Sequence, residues 1–154
     1  MARPGWDDYF LDIARTTARR STCPRAQVGA LIVVSNQIIS HGYNGAPAEL
    51  PHCDEVGCNI HDNHCVRTVH AEVNAILRAG DRLHKGFHQN ALYVTHLPCY
   101  ECCKIILNTE IDRLVFDKTY YDDRSYYAEG LSQYQWLWNV GKIEVVGQVI
   151  YTGE

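Results

Sequence analysis

No stretch of this 154-residue chain approaches the roughly 20 consecutive apolar residues that a helix needs to cross a bilayer. Met1 to Tyr9, M-A-R-P-G-W-D-D-Y, carries no apolar run for export either. The expectation is a soluble, cytoplasmic chain with no membrane partner. Positive charge is also scarce: 14 Lys and Arg stand against 18 Asp and Glu, a formal charge of −4. A broad basic surface, the main electrostatic drive toward nucleic acid, is therefore absent, which favours a small free substrate over a polymer. Repeats, linkers and low-complexity tracts are missing too. With 46% hydrophobic residues, 1–154 suits a single domain around one core.

Cysteine, by contrast, is plentiful: Cys23, Cys53, Cys58, Cys65, Cys99, Cys102 and Cys103. In a chain expected to stay inside the cell, so many thiols point to metal ligation or redox chemistry before disulfides. Periodicity predicts a helix over Asp8–Arg19, with Phe10, Leu11, Ile13 and Ala14 on one stripe. Val28–Val34 reads as a buried strand that Asn36 and Gln37 turn into an antiparallel partner at Ile38–Gly42. Tyr43–Pro47 is a loop, and residues 48–63 show no period, which predicts an irregular insert needing support beyond a core. A helix over Val69–Ala79 stops at Gly80. Beyond it come a strand at Ala91–Thr95, a helix opened by Pro98 and running through Leu107, a strand at Arg113–Phe116, a helix over Leu131–Val140 and a strand at Ile143–Val146. A hairpin followed by alternating strands and helices predicts a three-layer α/β/α sandwich with a mixed five-stranded sheet.

The chemistry gathers in His70-Ala71-Glu72 and Pro98-Cys99-Tyr100-Glu101-Cys102. His70, Cys99 and Cys102 can hold Zn²⁺ at three corners of a tetrahedron and leave the fourth for water, which separates a catalytic site from a closed structural one. Cys99 and Cys102, three apart, share a face in the first turn of a helix. His70 opens another helix, so two N-termini point at the metal and favour thiolate over thiol. Zinc lowers the pKa of its water toward neutrality. Glu72, which is no ligand, is the proton carrier, though two residues past His70 it does not easily share the same helical face. Singly, these parts mean less. A C-x-x-C also fits a redox pair or half of a structural zinc site, and a histidine at a helix start is commonly a polar cap. The combination argues for catalytic zinc, while Cys103, facing elsewhere on its helix, reads as core.

H-x-E followed by P-C-x-x-C resembles the signature of zinc nucleobase deaminases. The chain is similar to the cytidine deaminase superfamily and, more narrowly, to deoxycytidylate (dCMP) deaminases. The narrower resemblance lies in Arg20-Ser21-Thr22-Cys23-Pro24 ahead of Val28-Gly29-Ala30, in Gly42-Tyr43-Asn44-Gly45-Ala46-Pro47, and in His64-Cys65-Val66-Arg67-Thr68-Val69 leading into His70-Ala71-Glu72. It covers most of the first half and is looser in the second. It implies zinc-dependent hydrolysis of dCMP to dUMP and ammonia, by attack at C4 of cytosine, feeding thymidylate synthesis. It also implies that Asn44 bonds the sugar and that the backbone N–H of Ala71 meets the base. For the phosphate the candidates are Arg25, with Tyr120 or Tyr121 beside it, against the alternative of a solvated surface arginine.

The other four cysteines match a structural zinc of the same family. Cys23 and Cys53 sit where its ligands occur, and Cys58 and Cys65 can complete a tetrathiolate, with His61 or His64 able to replace one cysteine. Such a site would order an insert at about 48–65. Members of the family are commonly homohexamers, activated by dCTP and inhibited by dTTP with Mg²⁺, the nucleotide lying near Gly42-Tyr43-Asn44-Gly45 at subunit contacts. Arg78 can reach a neighbouring subunit's nucleotide or stay a solvated helix charge. Three Trp and ten Tyr suit subunit interfaces as well as a core. Rival readings are a zinc deaminase acting on tRNA adenosine, guanine, riboflavin precursors or free cytidine, and a structural zinc module acting through the tyrosine-rich segment from Tyr120 to Tyr134.

Overall fold

A computed structural model describes residues 2–83, 89–118 and 143–147. The helix expected over Leu131–Val140, and Tyr120 and Tyr121, lie outside the described residues. Helix α1 (Trp6–Ala18) starts two residues earlier than its apolar stripe suggested, with Asp7 and Asp8 in the first turn where the helix dipole favours them. Strands β1 (Gly29–Val34) and β2 (Gln37–Tyr43) pair antiparallel. Their turn is Ser35–Asn36 rather than Asn36–Gln37. Both residues have positive φ, 48° and 61°, as expected of the mirror-image turns that match strand twist.

Residues 48–63 are more regular than the missing period implied. A single helical turn, α2 (Cys53–Val56), is followed by a minimal hairpin of β3 (Ile60–His61) and β4 (His64–Cys65). Asp62 and Asn63, at φ 46° and 65°, make its turn. Two-residue strands are too short to show periodicity, but an Asp-Asn pair that tolerates left-handed backbone was a readable turn signal.

Helix α3 (Ala71–Ala79), strand β5 (Asn90–His96), helix α4 (Tyr100–Leu107), strand β6 (Arg113–Lys118) and strand β7 (Glu144–Gly147) complete the described elements with a short 3₁₀ turn after α3. The sheet order is β2-β1-β5-β6-β7, antiparallel from β2 to β5 and parallel from β5 to β7. This is the mixed five-stranded sheet expected. Against one face α1 packs Phe10, Leu11 and Ala14 on Leu31, Val33, Tyr93 and Val115. Against the other, Ala71, Ala75 and Ala79 of α3 and Ile106 of α4 cover Ala30, Ile32, Leu92, Val94 and Leu114. Burial on both faces explains why β1 reads as an unbroken apolar run rather than an alternating one. Among the described residues no helix is long and apolar enough to cross a membrane.

Two glycines set how closely the helices approach. A Cβ on Gly29 would lie 2.1 Å from the Ala14 carbonyl oxygen and 2.5 Å from the Ala18 nitrogen. One on Gly42 would lie 2.2 Å from the Ala71 oxygen and 2.5 Å from the Ala75 nitrogen. Helix α3 thus rests backbone against backbone on β2, and its first turn is held over the edge of the sheet. Cys103 is buried against Tyr100 and Leu107 as a core residue.

Asp7 of α1 is bonded by Arg113 of β6, whose Nη1 and Nη2 both donate to it, and by the Tyr93 hydroxyl at 2.7 Å. The Arg113 hydrogen bond holds the Asp7 carboxyl below its ordinary pKa. A depressed carboxylate contributes stability above its unfolded pKa of about 3.9, and that stability is lost as pH falls through the folded value. Because the pair is partly solvent-exposed, the contribution is about 1 kcal/mol. Wild type should therefore melt above Asp7→Asn at pH 7, with the gap closing below about pH 4. A gap independent of pH in thermal melts would contradict the assignment.

Candidate active site

His70 and Cys99 are themselves the N-caps of α3 and α4, both with extended backbone (φ −67°, ψ 152° and φ −67°, ψ 167°). Pro98 therefore precedes the cap of α4 rather than opening its first turn, and that helix starts two residues later than expected. Cys102 sits in the first turn. The His70 Nδ1 lies 3.3 Å from the Cys102 sulfur and 3.4 Å from the Cys99 sulfur. Tetrahedral zinc at about 2.3 Å from sulfur and 2.0 Å from nitrogen separates its ligand atoms by roughly 3.5–3.8 Å, so this donor set fits the ion.

Glu72 is 4% exposed, and its Oε2 is 3.8 Å from the Cys102 sulfur. The expectation that it would not readily share a face with His70 is corrected here. The extended backbone of His70 takes it out of the helical register that Ala71 and Glu72 follow, so helical spacing does not separate the two side chains, and both reach the Cys102 sulfur. Burial pushes the Glu72 carboxyl up to about 7. The Cys102 thiol donating to Cys99 holds Cys99 far below an ordinary thiol, at about 4, and the Cys99 contact raises His70. Nδ1 of His70 thus faces an anionic sulfur, the charge pattern a cation would exploit.

Four further thiols, of Cys23, Cys53, Cys58 and Cys65, lie within 4.8 Å of one another. The Cys23 and Cys58 sulfurs are 3.7 Å apart and those of Cys53 and Cys65 3.5 Å, again near the spacing of a zinc tetrathiolate. Backbone N–H groups of Arg67 and Asn59, working against burial, bring Cys65 down to about 7. His61 and His64 face each other across the hairpin and are not part of this cluster.

A cavity of about 490 Å³ opens onto both clusters. Its inner end is formed by His70, Ala71, Glu72, Cys99, His96 and Leu97, and its outer end by Cys23, Arg25, Asp62, Asn63, His64 and Cys65. Ala71 occupies the first helical position, where the backbone N–H has no intrahelical acceptor. Asn44 also lines the cavity and organises the wall behind it: Oδ1 accepts from Ser21 Oγ at 2.6 Å and from the Val28 amide at 2.9 Å, and Nδ2 donates to the Ala26 carbonyl. Arg25 donates to the carbonyl and side-chain oxygens of Asn63. His96 was not anticipated from the sequence. It ends β5 three residues before Cys99, with Nδ1 2.8 Å from Thr95 Oγ1, which in turn accepts from the Gly29 amide. That position, on the strand feeding the cysteine cap, was its only signal.

The loop proposed for effectors lies at the edge of the sheet. Arg20 and Arg78 stand over the Tyr43 ring at 6.0 and 5.5 Å, and Arg78 also donates to the His41 carbonyl of its own chain. Gly42 serves the packing of α3, and the Gly45 amide donates to Val69.

Residues 4–118 match the model of the cytidine and deoxycytidylate deaminase zinc-binding region. The chain belongs to this deaminase family. Among similar proteins, the ComE operon protein 2 of Bacillus subtilis is 42% identical over 120 residues, 78% of this chain and 63% of that protein. The deoxycytidylate deaminase of Mycobacterium phage D29 is 40% identical over 129 residues, 77% of this chain and 98% of the phage enzyme. The chain thus spans nearly all of one deaminase relative and less than two thirds of the Bacillus protein. The dCMP deaminase of cyanophage S-TIM5, crystallised with dCMP and dUMP, shares the fold at a TM-score of 0.72 and 24% identity, over 96% of this chain and 100% of that one.

Proposed function

We propose that the chain hydrolyses dCMP to dUMP and ammonia, supplying dUMP for thymidylate synthesis, and that 1–154 acts as one zinc-dependent deaminase domain. The observation that carries the proposal is the convergence of His70, Cys99 and buried Glu72 at the inner end of a cavity of nucleotide size, with the Cys102 sulfur 3.3 Å from His70 Nδ1. His70, Cys99 and Cys102 would hold a zinc whose Lewis acidity makes water a nucleophile at neutral pH. Glu72 takes one proton of the attacking water and gives it to the ring nitrogen beside C4, where dUMP keeps it, and then carries the second proton, from the new hydroxyl at C4, to the departing amine. The Ala71 amide meets the base, and the Asn44 side chain offers its second N–H to the sugar. Arg25 faces the phosphate, joined in this proposal by Tyr120 or Tyr121. A second zinc, held by Cys23, Cys53, Cys58 and Cys65, would order the insert at about 48–65.

Ammonia release measured over dCMP, CMP, dCTP, deoxycytidine and adenosine tests the reading. dCMP should give the highest kcat/KM, and preference for any other substrate would overturn it.

Regulation belongs to the same proposal. Two guanidinium groups beside Tyr43 support an anion site formed by Gly42, Tyr43, Asn44, Gly45 and Arg78 in a homohexamer, where dCTP with Mg²⁺ activates and dTTP with Mg²⁺ inhibits. Effectors that bind two subunit arrangements with different affinity must shift the dCMP saturation curve in opposite directions. Three superimposable hyperbolic curves, without effector and with each, would remove regulation from the proposal.

A further inference from the structure

The four-thiol cluster and the cavity share a wall. Cys23 and Cys65 line the cavity, as do Arg25, two residues past the first, and His64, next to the second. Cys53 and Cys58 complete the cluster from behind this wall. Neither half of the wall is built on a long element of its own, and the first leans on Asn44 through Ser21, Ala26 and Val28. Residues 21–28 form no helix or strand before β1, and a hairpin of two-residue strands does not hold itself together in water. Among the described residues the halves are tied by the thiol cluster and by Arg25, bonded to the Asn63 carbonyl and Oδ1 at 3.1 and 3.2 Å. The reacting end is anchored differently, on the N-termini of α3 and α4, which pack directly on the sheet.

We propose that the four-thiol centre is a positioning element of the substrate site: through Cys23 and Cys65 it fixes Arg25 and the β3–β4 hairpin, and so sets affinity for the anionic end of the nucleotide without taking part in the chemistry at C4. The inference rests on the reading of the cavity as a nucleotide site. A centre that merely stabilised the fold would lower active protein without changing how tightly the remainder binds. A centre that positions the wall changes KM and spares kcat.

Cys58→Ser removes a ligand that does not itself line the cavity. Bound zinc should fall from two ions per chain to one, KM for dCMP should rise roughly tenfold, the value of one charge-assisted contact, and kcat should stay within about threefold. Calorimetric binding of dCMP should weaken to the same degree when Cys58→Ser is combined with Glu72→Ala, a comparison independent of turnover. Asn63→Gly keeps the left-handed turn and all four thiols but removes one acceptor of Arg25. It should raise KM by roughly threefold with both zincs retained, and it serves as the deciding variant if Cys58→Ser does not fold. Unchanged dCMP affinity in folded, one-zinc Cys58→Ser overturns the proposal, as does unchanged affinity in Asn63→Gly if that variant must decide, or a fall in kcat as large as the rise in KM. Wild-type protein that neither binds nor turns over dCMP would instead overturn the nucleotide reading, and the two failures are told apart before any variant is made.

Discussion

Glu72→Ala should lose deamination by on the order of 10⁴-fold while keeping its fold and its metal, because the side chain moves protons and holds no ion. The carboxylate is enclosed, with its Oε2 near the Cys102 sulfur, and sits beside the point where the His70 and Cys99 caps meet. No other described carboxylate lines the inner end of the cavity, so no neighbour can take over the transfer. Steady-state ammonia release together with zinc analysis and circular dichroism checks the outcome. An active variant sinks the mechanism, and an inactive variant that has also lost its zinc would reassign Glu72 to holding the site together.

Cys53→Ser should have the largest effect on stability. The cysteine is 4% exposed, and its sulfur is 3.5 Å from that of Cys65, so losing it opens a closed thiolate set from its buried side. One zinc of two should be lost. Because a structural zinc contributes its binding energy to folding, the cost should be about 4 kcal/mol, a fall of roughly 10 °C in Tm for a domain of this size. Calorimetry with metal analysis decides it. A wild type with a single zinc, or a one-zinc variant melting with wild type, contradicts the structural role.

What could be read from the sequence follows from how chemistry and packing each mark a chain. The ligands were legible because thiols and imidazole at C-x-x-C and H-x-E spacing have few other uses, and the structure brings the expected cysteines into two clusters. The central strands β1, β5 and β6 were legible because they are apolar runs buried on both faces. The geometry of His70 and Glu72 was not, since helical periodicity was extended through a residue that caps the helix instead of entering it. The hairpin around Asp62 was missed because its strands are shorter than any period. Arg78 shows a third limit: spacing puts it on an exposed helix face, but only the fold shows the Tyr43 ring beneath it.

The contact between Asp7 and Arg113 joins residues 106 apart in the chain. During synthesis at 5–20 residues per second, α1 emerges roughly 5–20 s before the arginine that closes on it. Until residue 93 is made Phe10 can meet Leu31 and Val33 of the early hairpin, but not Tyr93, the ring it finally packs against at 5.0 Å. Trp6, Tyr9 and Phe10 thus wait as an uncovered aromatic cluster on the nascent chain. Helix α1 therefore closes its ion pair long after it is made, and a ribosome paused before residue 113 leaves Asp7 without its arginine.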